Sequence, residues 1–244
     1  MFTVQSLHTT KQKPFIDKIS LKLLLDYYDT YLAPYEYTYE LTDGQTERTI
    51  RLHFDPHRLC HLLGVETVAK AKYSRSVRKR AEYKGHEGYR RIKDGRIDFD
   101  HLKNLSKGAK TAFKNIKDKL IFFYLVPYVM ESTEIMVKFE QVENSDIQCE
   151  ILIFDFHHNT IVHVGIEKEN QTDYYFPRTF LVERITDTKN GKKFIQGQDK
   201  IYVNTITKTN RSSGKVLQTI VVKQREEDTQ TEIETSASSE KKNK

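Results

Sequence analysis

From 133 to 222 the chain is a succession of short runs rich in β-branched and aromatic residues, and this half leaves little choice of architecture. The runs span 133–142, 149–156, 161–167, 180–185, 201–207 and 216–222. Asn159-Thr160 reads as the turn between the second and third, and 210–214 joins the last two. Helical patterns dominate what comes before. Helices followed by runs of strands predict an α+β fold, with N-terminal helices packed on a twisted antiparallel β-sheet in a single domain. With 37% apolar residues, 14 Tyr and 13 Phe, the chain can bury a substantial core.

The earlier half has readable punctuation. At 15–32, Phe15, Ile16, Ile19, Leu23, Tyr27 and Tyr31 recur at helical spacing, with Pro14 before them and Pro34 after. The stretch 35–54 alternates on both sides of Asp43-Gly44 and predicts a β-hairpin. A short helix is expected over 55–64: Asp55 fits the N-cap, Pro56 the first helical position and Gly64 the left-handed terminator. A helix is expected over 68–80, a glycine-bracketed loop over 84–88, a hairpin or helix start around Asp94-Gly95, and a helix over 113–124. From Arg225 the chain turns polar, which predicts a disordered tail over 225–244 behind a domain spanning 1–224.

Charge is unevenly distributed. The net charge is +6, yet 70–119 holds 17 Lys/Arg against 6 Asp/Glu, so this basic helical insert carries +11 and the remainder −5. Such asymmetry is the footprint of a polyanion site, with an acidic protein or an anionic membrane as the other readings of a basic patch. Arg75, Arg78, Lys79, Arg80, Lys84, Arg90 and Arg91 are the cations expected to hold a nucleic-acid backbone. Two cysteines without CxxC spacing point to a reducing compartment and a cytoplasmic location. The longest apolar run, 120–130, contains Pro127 and is too short to span a bilayer, so no membrane partner is expected.

Three clusters could carry chemistry. His57 and His61 lie four apart and would share a helix face; imidazoles serve as both acid and base near neutral pH. One surface and one buried structural histidine is the bland alternative. Zinc chelation by this pair is disfavoured because Arg58 stands where a zincin has glutamate. No metal and no cofactor are expected. The segment 174–180 offers Arg178 as a planar fork for phosphate, Thr179 as a hydroxyl and Tyr175 as a ring on which a base could lie. Its alternative reading is a strand entry with aromatics in the core. His163 falls on the less apolar face of its strand, beside Ile161 and Gly165, where a site could form. P-loop, dinucleotide-binding, nucleophile-elbow and zinc-deaminase signatures are all absent.

Two local patterns resemble a known group. One runs from Phe54 through His61-Leu-Leu-Gly64. The other is Tyr175-Phe-Pro-Arg-Thr-Phe180, followed by Ile201-Tyr-Val-Asn-Thr-Ile-Thr-Lys208. Together they look like phage-associated members of the Barnase/EndoU/colicin/RelE-like nuclease superfamily. The resemblance implies a metal-independent endoribonuclease on a helix-plus-sheet fold, connected with toxins, phage products or anti-phage defence. It places His61, Arg178 and Thr179 in the site; His57 and His163 are added from geometry. The expected partners are RNA, with tRNA among the open choices, and a cognate antitoxin or defence-system protein. A non-catalytic nucleic-acid binder and an interaction protein docking an acidic partner are the alternatives.

Overall fold

The computed structural model describes residues 1–107, 112–134 and 136–222. The tail expected over 225–244 lies outside the described residues. Nine helices form among the described residues: α1 (Val4–His8), α2 (Leu21–Tyr31), α3 (Leu59–Leu62), α4 (Val65–Lys72), α5 (Val77–Ala81), α6 (Gly85–Lys93), α7 (Phe99–Leu105), α8 (Ala112–Phe122) and α9 (Val126–Met130). The strands are β1 (Tyr35–Asp43), β2 (Thr46–His53), β3 (Met136–Lys138), β4 (Ile151–His157), β5 (Thr160–Lys168), β6 (Tyr174–Arg184), β7 (Asp199–Asn210) and β8 (Val216–Val221).

The α+β class holds, but the sheet is not an open one covered on one face. Strand order is β1-β2-β6-β5-β4-β3-β7, and β7 pairs back onto β1, which closes a seven-stranded barrel; β8 extends β7. Nor is it wholly antiparallel. β2 and β6 run parallel and share only Arg51↔Tyr174 and Leu52↔Tyr175. Closure explains the burial pattern. Tyr37, Tyr39, Ile50, Leu52, Val203 and Ile206 alternate into the main core, where they join apolar faces of the helices. The Tyr39 hydroxyl donates to the Met130 carbonyl at 2.8 Å and ties the barrel to α9.

Most departures from the sequence expectations have local causes. The helix expected over 15–32 is interrupted because Ser20 is extended and caps α2 through a bond from the Leu23 N–H; Ile16–Lys18 forms a separate 3-10 turn. The helix expected over 55–64 divides into a 3-10 turn, Pro56–Arg58, and α3. Asp55 gives no side-chain cap there, because its carboxylate is held by His53 and Arg211. Asp94-Gly95 ends α6 rather than turning a hairpin: Gly95 adopts φ +74°, and its N–H reaches the Ile92 carbonyl. The glycine-bracketed stretch at 84–88 is the first turn of α6. Among the described residues no helix is long and apolar enough to cross a membrane.

Candidate active site

The Pro56–Arg58 turn and α3 follow directly from the end of β2, and Gly64 ends them with φ +77°. A Cβ at Gly64 would lie 2.5 Å from Ile116 Cγ2 on α8, so the close approach, as well as the left-handed conformation, requires glycine. This fixes α3 against the helical insert. His57, Arg58 and His61 then line a cleft of about 380 Å3, faced by Glu66 of α4, by Lys84 and Gly85 at the start of α6, and by Pro177 and Arg178 of β6.

Arg178 reaches the cleft through a β-bulge. Gly165 pairs with Thr179 and Ile166 with Pro177, so Arg178 is the extra residue of β6. A bulge breaks strict alternation and re-aims a side chain. Arg178 Nε lies 3.3 Å from Glu167 Oε2, and its guanidinium also reaches Gln148 Oε1 at 3.5 Å. Arg58 stacks on Phe176, 3.7 Å from the ring centroid, with Glu169 at 3.8 Å. Both guanidiniums thus have a carboxylate within 4 Å.

The two histidines differ. His57 is half-buried, and burial followed by the Arg58 charge lowers its pKa below the ordinary value, so it is neutral at pH 7. Its ring is 5.2 Å from that of His86. His61 is exposed, and its Nδ1 lies 3.3 Å from Glu66 Oε2. With Nδ1–H donating to the carboxylate, Nε2 is left free.

Other residues singled out from the sequence lie elsewhere. His163 is fully buried: its face of β5 is covered by Phe194 from the β6–β7 connection, at 5.9 Å between rings, and by Phe154 of β4. Those aromatics belong to a second, smaller core with Val137, Leu152 and Ile161, so the face expected to be available for a site is filled. Thr179 does not line the cleft; its Cγ2 and the Cys149 Sγ crowd Gly165. Tyr175 is no exposed stacking surface, being buried with its hydroxyl donating to Glu150 at 2.9 Å.

The basic insert is heterogeneous. Arg90 and Arg91 are both held by Glu87, Arg91 also by Glu82, and these bonds pull the Glu87 carboxyl down to about 2. Lys79 sits 5.2 Å from the Tyr73 ring centroid. Arg75, Arg78 and Arg80 have no ion-pair partner among the described residues, and Arg75 and Arg78 are exposed. Sequence reasoning passed over Arg58, although its place between the histidines marked it, and Glu66, whose role appears only when α4 packs behind α3. Among the described residues no group of three or more His, Cys, Asp or Glu is arranged to hold a metal ion.

A family model described as phage-Barnase-EndoU-ColicinE5/D-RelE like nuclease 4 matches residues 21–241. The chain belongs to this family. The match covers every residue of the cleft and all eight strands. The matched span folds as the closed barrel bearing the helical insert. Neither the curated proteins nor the solved structures yield a match.

Proposed function

We propose that this nuclease is an endoribonuclease that cleaves RNA by attack of a ribose 2′-hydroxyl on the adjacent phosphate. The observation that carries this reading is the convergence of two histidines and three cations, Arg58, Lys84 and Arg178, on one cleft. His57, neutral at pH 7, takes the 2′-hydroxyl proton. His61, held through Nδ1 by Glu66, delivers a proton from Nε2 to the leaving 5′-oxygen. The three cations stabilise the charge that builds on the phosphate, and no metal is required for that task. The products are a 2′,3′-cyclic phosphate and a 5′-hydroxyl. Arg75, Arg78, Arg80 and Lys79 hold the backbone beyond the cleft.

The test is incubation of the purified protein with labelled RNA in EDTA, beside His57→Ala, His61→Ala and Arg178→Ala, with analysis of the product ends. Wild type is expected to leave cyclic phosphate ends, and each histidine variant to lose roughly 100-fold or more in rate. Since burial and Arg58 lower the pKa of His57, the acid limb of the rate profile falls below pH 6.5. Cleavage unchanged in all three variants would remove the assignment of this cleft. Salt-sensitive binding by every variant without any cleavage would leave a non-catalytic binding protein.

A further inference from the structure

The outer face of the barrel carries a second concavity of about 380 Å3, lined by Glu36, Arg51, His53, Tyr174, Thr209 and Asn210 among others. The strand register makes this one surface. Glu36 of β1 lies opposite His53 of β2 on one side and Thr209 of β7 on the other, and Arg51 lies opposite Tyr174 across the parallel pairing. These residues alternate with Leu52 and Tyr37, which point into the core.

At its centre is a planar cation fixed in place. Glu36 grips Arg51 as a fork, at 2.9 and 3.2 Å, and the guanidinium carbon lies 4.4 Å from the Tyr174 ring centroid. His53 meets the same ring edge-on at 4.9 Å. The Arg51 side chain nonetheless remains 46% exposed, so it is accessible from solvent although Glu36 and Tyr174 hold it. A guanidinium plane already backed by an aromatic ring is a stacking surface whose ordering cost has been met in advance.

Charge argues against a phosphate here. Glu36 holds Arg51 through two bonds at 2.9 and 3.2 Å and Asp55 holds Arg211 through two at 3.1 Å, closer than the single 3.3 and 3.8 Å contacts of Arg178 and Arg58 in the cleft, and no lysine like Lys84 lines the concavity. An uncharged planar group with hydrogen-bonding edges fits better. The Thr209 hydroxyl and the Asn210 amide Nδ2 make no hydrogen bond among the described residues, while Asn210 Oδ1 is occupied by the N–H groups of Ser212 and Ser213. The concavity also adjoins the cleft. Asp55 bonds His53 at 3.0 Å on this side, and its charge acts on His57 on the other. Along β6, Tyr174 and Arg178 are four residues apart, about 13 Å at strand rise.

We infer that this concavity is a base subsite for single-stranded RNA: an unpaired base flanking the scissile phosphate stacks on Arg51, backed by Tyr174, and presents its edge to Thr209 and Asn210. The inference rests on the ribonuclease reading for the direction in which the strand runs, but its readout does not depend on cleavage.

The experiment is equilibrium binding of tetranucleotides carrying 2-aminopurine at each position in turn, whose fluorescence is quenched by stacking. It uses the full chain with His61→Ala as the non-cleaving background. At one position the background protein is expected to quench the probe. Adding Arg51→Lys, which keeps the charge but not the planar fork, is expected to remove the quench and weaken binding about 5- to 150-fold, the range for losing one stacked base. Arg51→Ala, checked for folding by circular dichroism, should do the same. Quenching and affinity within twofold of the background in both Arg51 variants would overturn the subsite. So would the absence of quenching at every position under saturation. An intact, Arg51-dependent quench together with a wild-type protein that leaves the same RNA uncut would instead sink the catalytic reading and leave the subsite standing.

Discussion

Replacing His163 with leucine should make the protein less sensitive to acid. The ring is fully buried between Phe154 and Phe194, and although the Leu181 backbone lies opposite, neither ring nitrogen completes a hydrogen bond of good geometry. Burial therefore lowers its pKa from 6.5 to about 3. The unfolded state binds the proton first, so the stability is fully present above pH 6.5 and is lost as the pH falls towards 3. Between pH 7 and pH 5 linkage gives a loss of about 2 kcal/mol from this one group. For a chain of this size that corresponds to roughly 4–8 °C in melting temperature. His8, His57 and His158 are also lowered, chiefly by burial, and add losses of the same sign, so the quantity to measure is the difference between wild type and variant. Urea titrations at pH 7 and pH 5 supply it. His163→Leu should lose about 2 kcal/mol less than wild type over that interval. At pH 7 it should be no less stable, because an unpaired buried polar group has been removed at similar volume. An identical loss in both proteins would refute the reasoning and return His163 to the list of groups that can take up protons in the native state.

Two further outcomes follow from the same geometry. Gly64→Ala should cost about 2–4 kcal/mol in urea unfolding, since it combines a left-handed backbone with a contact against Ile116; Gly44→Ala, with φ +64° and open space around it, should cost only about 1 kcal/mol, and equal losses would contradict the packing argument. Changing Arg75, Arg78 and Arg80 together to glutamine should reduce the slope of log affinity for single-stranded RNA against log salt by about two, whereas changing Arg90 and Arg91, which Glu82 and Glu87 already hold, should move it by less than about one.

The cleft was more legible in the sequence than the barrel. His57, His61 and Arg178 stand out as residue types, and two of them are four apart in a segment bracketed by Pro56 and Gly64. Their convergence was not legible from spacing: only the family resemblance set His61 beside Arg178, while Lys84 was expected among the cations along the backbone and reaches the cleft because α6 packs against the Pro56–Arg58 turn. What the sequence hid was of two kinds. The Arg178 bulge leaves no compositional trace, because Pro177 and Thr179 would flank it equally well in a regular strand. The exchange of roles between faces was the other. The face of β5 holding His163 looks less apolar than its neighbour, yet Phe194, far along the chain, covers it. Alternation reports which residues share a face and not what lies on that face. Barrel closure was similarly invisible: the two-residue parallel contact between β2 and β6 involves strands separated by the whole helical insert.

The pairing of β1 with β7 sets an order of events during synthesis. Tyr35 is matched to Asn210 and Asp43 to Ile201, so the first strand to be made must wait for almost the last before its second edge is covered. Until then the growing chain can form the β1–β2 hairpin and the helices, but not the ring. That step joins strands separated by the whole helical insert and five other strands, and non-local pairing of this kind is expected late in folding. The anchor of Asp55 depends on it too, because Arg211 lies just beyond β7. The histidine turn therefore gains its final support only as the ring shuts, and a chain cut short before β7 would carry the residues of the cleft without the scaffold that aligns them.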